Sequence, residues 1–438
     1  MDLRKNSVRS RHINWLITGF LLLSFISLNF LLLQTTIAAE SNSSTEDAKK
    51  NVILMIGDGM GYGSVKLARW VEFGTGELLA MEKLPFNLDV TTHTITGTIT
   101  DSAAAGTALA TGNKTISGRV AMDSAGSPLK TILQVAQEQG KATGIVTTTE
   151  VTHATPACFM THALSRNDIT GIAQQIVEES SVDVILGGGE GDFTQDQLIQ
   201  LEANGYSVVK NRSALLDVED GPIVGLFSAE HLPYEIDRNP TLVPSLREMT
   251  EKAIEILSKD SDGFFLMVEG GQIDFAGHAN DKVRNALETI EFDRTVQFAS
   301  SFAQNHGDTL LIVTADHETG GLAVSSGTLN ESVPSVGMTA TENETLRVTR
   351  ALNITVTWAS TFHTSATVPF YGYGGDFSKF ENGSTTDNTE IFFLMQEFYA
   401  KKEKPTDQTS ESTSWPFVLI SLVALGSYVS LRLRKLAQ

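Results

Sequence analysis

Ser102 lies in the stretch Ile99-Thr100-Asp101-Ser102-Ala103-Ala104-Ala105-Gly106-Thr107, a hydroxyl between an acid and residues too small to shield it. The polar start and Ala-rich continuation predict a turn leading into a helix that runs to about Thr111 and stops at Gly112. Ser102 would then sit at a helix N-terminus, where unpaired N–H groups and the macrodipole favour an anion and help stabilise an alkoxide. That setting suits a serine that attacks phosphate. The same residues also fit a plain serine N-cap, so the reading depends on what the rest of the chain brings to it.

Oxygen and nitrogen donors suited to zinc recur further on. Asp274-Phe275-Ala276-Gly277-His278 spaces an acid and an imidazole four apart, on one face if the segment is helical. Asp316 and His317 are adjacent, and on a regular strand their side chains would point to opposite faces. They can chelate together only where the strand gives way to a loop, and Gly320-Gly321 supplies the freedom for that. His363, in Phe362-His363-Thr364-Ser365-Ala366, adds a third imidazole. The chain has nine histidines, and His12, His93, His162, His231 and His306 sit in no comparable arrangement.

These residues need elements to position them. Asn51 to Ile56 reads as a buried strand ending in the turn Gly57-Asp58-Gly59-Met60-Gly61. Ser127-Pro128 predicts a helix start, Gly140 its end, and Ala142 to Thr147 the next strand. Asp168 to Glu179 reads as helix, Val182 to Leu186 as strand, and Gly187-Gly188-Gly189 as a turn; no Lys-Ser or Lys-Thr follows to make a phosphate loop. Asp192 to Pro240 is less regular and reads as an insertion near the site. Val243 to Ser258 places Leu246, Met249, Ala253, Ile256 and Leu257 on one helical face, followed by the strand Phe264 to Val268. A long helix from Lys282 to about Asn305 leads to the strand Thr309 to Thr314, and an apolar helix spans Glu390 to Tyr399. Strands alternating with helices imply an α/β fold with a mainly parallel sheet and helices on both faces. Binding groups of such sheets gather beyond the strands' carboxyl ends, and Asp58, His153, Thr155, Glu269, Asp316 and His317 lie at those ends.

Composition limits the partners. Thirty-two Lys and Arg against 52 Asp and Glu give a net charge of -20, which argues against nucleic acid binding. Arg4, Lys5, Arg9 and Arg11 precede an apolar run and Thr36-Ile37-Ala38-Ala39, so 1–39 reads as a signal peptide or N-terminal anchor. The expected body is 40–405, with a polar linker at 406–414, a membrane span at 415–431 and a basic cytoplasmic tail at 432–438. The body would then face outside, as a cell-surface or periplasmic protein. Seven Asn-x-Ser/Thr sequons, at Asn42, Asn113, Asn211, Asn330, Asn343, Asn353 and Asn382, fit an exported glycoprotein. Cys158 has no partner cysteine, so core packing and bound metal must stabilise the fold.

Taken together, several stretches resemble the alkaline phosphatase family: Gly57 to Gly61, Thr100 to Thr107, Thr152-His153-Ala154-Thr155-Pro156, Val268 to Asp274, Thr314-Ala315-Asp316-His317 and Phe362-His363-Thr364. The resemblance runs in order from about Asn51 to Tyr399. It implies an alkaline-phosphatase-like sheet and hydrolysis of phosphate monoesters through a phosphoserine at Ser102, releasing inorganic phosphate. It implies two zinc ions, one held by Asp274, His278 and His363, the other by Asp58, Asp316 and His317 with the Ser102 oxygen. Asp58 would also bridge to a magnesium ion held by Thr155 and Glu269, with His153 beside it. Arg166, in Ser165-Arg166-Asn167, matches the family's phosphate-binding arginine, whose planar fork pairs with two phosphate oxygens. Homodimers are common in the family. Family members differ at His153 and Phe275, and Phe275 has no polar group where many relatives carry one, which puts the third metal's identity in question. A diesterase or sulfatase on the same scaffold is the nearest enzymatic alternative, but sulfatases need a Pro- and Arg-containing nucleophile motif that Thr100 to Thr107 lacks. A surface protein keeping the fold as a metal-binding module is the alternative from another class.

Overall fold

Residues 49–327 and 332–400 are described in this computed structural model. The expected signal segment, linker, span, basic tail and the sequons at Asn42 and Asn330 lie outside them. Among the described residues no helix is long and apolar enough to cross a membrane.

Unbroken apolar runs became the interior of a sheet because they are covered on both faces. The strands are β1 (Asn51–Gly57), β2 (Phe86–Thr91), β3 (Ala142–Glu150), β4 (Val184–Gly188), β5 (Ser207–Val209), β6 (Ile223–Leu226), β7 (Phe264–Gly270), β8 (Thr309–Thr314), β9 (Glu318–Thr319), β10 (Ala323–Gly327), β11 (Ile354–Thr357), β12 (His363–Thr364), β13 (Val368–Tyr373) and β14 (Thr385–Asp387). Ten of them form one sheet in the order β14-β2-β13-β8-β1-β7-β3-β4-β6-β5. From β8 to β5 every pairing is parallel, while β13 runs antiparallel to both β8 and β2. Helices pack around this mainly parallel sheet. Every residue of β1, β7 and β8 is buried, so the middle of the sheet is also the centre of the core.

Register then decides where the chemistry lies. Ile56 pairs with Glu269 on one side and Thr314 on the other, and Thr147 pairs with Glu269. Chain ends carrying Asp58, Glu269 and Asp316 therefore emerge side by side at one edge.

Most expected elements are present, including the helices Ser102–Thr111, Ile169–Glu178, Leu246–Leu257, Lys282–Asn305 and Thr389–Ala400. Some differ. Pro128 does not open a helix: Met122 and Pro128 form a β-bridge, and the helix is Ile132–Glu138, started by a Thr131–Gln134 capping box. The segment expected to be irregular, Asp192 to Pro240, contains the helices Gln195–Ala203 and Arg212–Asp217 and supplies β5 and β6 at the sheet edge. Short strands there carry too few residues for a period to stand out in the sequence. Gly187 and Gly188 belong to β4, and only Gly189, at φ +90°, turns the chain.

Candidate metal centre and nucleophile

Asp101, not Ser102, caps the helix Ser102–Thr111. Its side chain accepts from Ala104 N at 3.0 Å, and Gly112 closes the helix in the left-handed conformation. Ser102 is thereby the first helical residue, buried, with its Oγ 3.3 Å from His317 Nε2.

Three groups of ligand-type side chains converge beside it. Asp274, His278 and His363 form one, Asp58, Asp316 and His317 a second, and Asp58, His153 and Glu269 a third, the donor atoms in each lying within 4.8 Å of one another. Asp274 and His278 share a face of the helix Gln272–His278, as their spacing required. Asp316 and His317 follow β8 at a bend, where Asp316 Oδ1 accepts from Gly59 N (3.1 Å) and His317 N (2.9 Å). His363 enters on β12, paired with β9.

Hydrogen bonding on the far side of each ring fixes which nitrogen faces inward. His278 Nδ1 donates to Thr361 O at 2.6 Å and His363 Nδ1 to Thr100 O at 2.9 Å. His317 Nδ1 donates to Thr319 Oγ1 at 3.2 Å, whose own hydrogen goes to Asp274 Oδ1. All three rings therefore turn an Nε2 lone pair toward the carboxylates, as metal-ligating imidazoles do. His317 Nε2 lies 3.2 Å from Asp316 Oδ2 and 3.5 Å from Asp58 Oδ1, and His278 Nε2 lies 3.3 Å from Asp274 Oδ2.

The carboxylates carry the strain of this arrangement. Burial, with repulsion from Asp316, Asp274 and Glu269, pushes Asp58 well above the usual range. Burial likewise pushes Glu269 up to about 7 and Asp316 up to about 6, while His317 is driven down to about 4. Asp274 is the exception: burial raises it, but the hydrogen bond from His278 and the neighbouring imidazoles outweigh that and hold it low. Asp58 Oδ1 and Oδ2, Asp316 Oδ2, Glu269 Oε1, Thr155 Oγ1 and His153 Nδ1 are all buried without a hydrogen-bond partner. So many orphaned carboxylate and hydroxyl oxygens in one place would be strongly destabilising on their own, and divalent cations would satisfy them. The donor set fits divalent metal ions.

Arg166 reaches the same edge from a loop. Its Nη1 lies 3.3 Å from Asp101 Oδ2 and its Nη2 lies 2.9 Å from His153 Nε2. A guanidinium only donates, so His153 Nε2 accepts. Burial, with Arg166 nearby, drives the His153 imidazole down to about 4, so it is neutral and its hydrogen sits on Nδ1.

All the residues singled out in the sequence thus meet at one edge: Ser102, Arg166, Asp58, His153, Thr155, Glu269, Asp274, His278, Asp316, His317 and His363. The supporting residues were missed. Asp101 joins the helix cap to Arg166, and Gly118 N also donates to it at 3.0 Å. Thr147 and Thr149 donate to Glu269 Oε2, and Thr319 links His317 to Asp274. The threonine run at the end of β3, and a threonine two residues beyond His317, were the available signals.

A family model described as alkaline phosphatase matches residues 49–351. Alkaline phosphatase 4 of Bacillus subtilis (strain 168) is 34% identical over 426 residues, which covers 83% of this chain and 92% of the relative. Alkaline phosphatase 3 of the same organism is 40% identical over 301 residues, covering 66% of this chain and 65% of the relative. The solved cold-active alkaline phosphatase from the psychrophile Shewanella sp. superposes with a TM-score of 0.71 at 30% identity, covering 80% of this chain and 100% of that one. Motif order, sheet topology and convergent ligand set agree with these similarities, and the chain belongs to the alkaline phosphatase family of phosphomonoester hydrolases.

Proposed function

We propose that the chain hydrolyses phosphate monoesters through a phosphoserine at Ser102, with Asp274, His278 and His363 holding one zinc and Asp58, Asp316 and His317 a second. Asp58, Glu269 and Thr155 would hold a magnesium ion. His153 lies in the same group with a buried Nδ1–H that has no partner among the described residues, and an N–H suits a water that magnesium retains better than the cation itself. A solved variant of TAB5 alkaline phosphatase, 28% identical to this chain, is described as carrying Mg in its M3 site. The observation that carries the reading is the inward set of three Nε2 lone pairs beside a buried serine and unpartnered carboxylates.

Arg166, tethered by Asp101 and His153, pairs with two oxygens of the phosphoryl group and turns phosphorus toward Ser102. Ser102 Oγ, at the first position of its helix and against His317, gives its proton to solvent and attacks in line, and the leaving oxygen takes a proton from solvent. The alcohol departs, leaving a phosphoryl ester on Oγ; water then attacks phosphorus from the vacated side and Ser102 recovers its hydroxyl. Bound zinc ions supply charge at the attacking and leaving oxygens, where the barrier of phosphoryl transfer is concentrated. The body is read as an extracytoplasmic, glycosylated domain anchored through 415–431 and acting as a homodimer, which the apolar run, its trailing basic residues, the sequons and the family's habit support.

The test is hydrolysis of a chromogenic phosphate monoester at alkaline pH by the full chain. Activity should vanish with a chelator and return with zinc plus magnesium. Equal rates on a diester, or full activity after chelation, would overturn the reading.

A further inference from the structure

His231, which the sequence set apart from the ligand histidines, stands next to the third group. Its loop is fastened to the end of β4: Phe227 N donates to Gly187 O and Gly189 N to Glu230 O, both at 2.9 Å. A side chain on Gly188 would run into the Glu230 carbonyl, so the glycine triplet serves as the floor on which this loop lies. On the other side Leu232 N donates to Thr148 O at 2.9 Å, and Gln272 donates to Leu232 O. The backbone around His231 is therefore fixed.

Its side chain is fixed as well. Glu150 Oε1 accepts from His231 N at 3.0 Å and lies 3.3 Å from His231 Nδ1. The imidazole stacks on Phe275, with ring centroids 4.9 Å apart and planes 25° apart. Phe275 in turn meets the His153 ring at 5.9 Å and 54°. His153 has little else to hold it: its ring bonds Arg166, and its Nδ1 has no partner among the described residues. We infer that His231, fastened by Glu150 and stacked on Phe275, is a positioning residue that holds the His153 ring against Arg166 and the third cation site.

Phe275 then has a purpose despite lacking a polar group. Aromatic rings pack with defined offsets, so a column of one stacked and one tilted contact transmits position from a rigid loop to a ring whose only hydrogen bond among the described residues is to Arg166. Residues behind metal-site groups act this way, by orienting what touches the ion.

The inference rests on the proposed third cation site, and the experiment separates the two. Wild-type, His231→Ala and His231→Phe chains are equilibrated with a magnesium series at fixed zinc. Bound magnesium and zinc are measured by elemental analysis, together with inhibition by inorganic phosphate and Tm. His231→Ala should raise the magnesium concentration for half-saturation about tenfold, the lower end of the loss expected for outer-shell changes. It should also weaken phosphate inhibition, while zinc content and Tm stay at wild-type values. His231→Phe keeps a stacked ring and should recover most of the magnesium affinity. Equal half-saturation in wild type and His231→Ala overturns the inference alone, as does failure of His231→Phe to recover. Joint loss of zinc and Tm in His231→Ala overturns it by revealing a general packing defect. A wild-type chain that takes up no magnesium overturns the third-site reading together with it.

Discussion

The Nε2 atoms of His278 and His363 lie 3.1 Å apart, and both Nδ1 groups donate to backbone carbonyls, so in the neutral rings two Nε2 lone pairs face each other. Two lone pairs at that distance repel unless a positive charge sits between them. Without metal the charge must be a proton, and Asp274 accordingly pushes the His278 imidazole up to about 9.

Metal removal should therefore cost more stability at pH 9 than near pH 7. In the metal-free chain a folded His278 holds its proton up to about 9 against the 6.5 of an ordinary imidazole, and that stabilisation disappears as pH rises through this window. Asp316, raised to about 6, and Glu269, raised to about 7, keep protons that the unfolded chain has released, so they too favour the fold at low pH and oppose it as pH rises. His153 and His317, driven down to about 4, work the other way below 6.5, so it is from pH 7 to pH 9 that the Tm difference between metal-loaded and chelated chains should grow. A chelated chain whose Tm rises with pH over that range would contradict the arrangement.

Gly59 should tolerate no side chain. Its φ is +69°, and a Cβ there would stand 2.7 Å from Asp274 Oδ1 and 2.8 Å from both Asp274 Cα and Thr319 Oγ1. Gly59→Ala should lower stability by about 1–2 kcal/mol from the left-handed backbone alone. It should also displace Asp274, reducing zinc retained after dialysis and lowering kcat/KM by about tenfold or more, as for disturbed metal ligation. Wild-type zinc content and kinetics in Gly59→Ala would show that this approach is looser than it looks.

Arg166 should act on phosphate rather than on metal. Arg166→Ala removes two charge-assisted hydrogen bonds, a loss of roughly 1.5–3 kcal/mol each before compensation by water. The inhibition constant for inorganic phosphate should rise at least about tenfold. Zinc content should not change. Unchanged phosphate inhibition would remove Arg166 from the site.

Glu288 offers a stability test away from the metals. It is buried within the helix Lys282–Asn305, and burial, with the charges of Glu235 and Glu291, pushes its carboxyl up to about 8 although Glu235 N donates to it. Between its unfolded value of 4.5 and about 8 the folded chain holds a proton that the unfolded chain lacks, so stability falls as pH rises. The slope is at most about 1.4 kcal/mol per pH unit. Glu288→Gln should match wild type near pH 4.5 and become more stable by roughly a few kcal/mol at pH 8, measured by denaturant unfolding with metals in excess. An unaltered slope would mean Glu288 ionises normally.

Much of the site was readable because its geometry is local. An i,i+4 Asp274–His278 pair is on one face wherever the segment is helical, and Asp316-His317 can chelate only across a bend. Apolar strands ending in acids announce a parallel sheet with its chemistry at one edge. Less readable were the pieces whose meaning comes from a partner far away in the chain. Thr319 looks like any strand residue until it bridges His317 and Asp274, and Asp101 like a simple cap until Arg166 reaches it. His231 gives no sign of its place, because nothing near it in sequence reveals Glu150 or Phe275. Antiparallel β13, the edge strand β5 and its neighbour β6 are defined by pairing, which short segments do not encode alone.

The amino-acid sequence by itself determined the inventory: which side chains can ligate, attack and hold phosphate, and which strand ends carry them. Only the tertiary structure decided how each imidazole is turned, since that depends on whether Thr361 O, Thr100 O or Thr319 Oγ1 stands behind its Nδ1. Composition fixes what a residue can donate or accept, whereas the direction in which it does so is set by neighbours that folding brings from elsewhere.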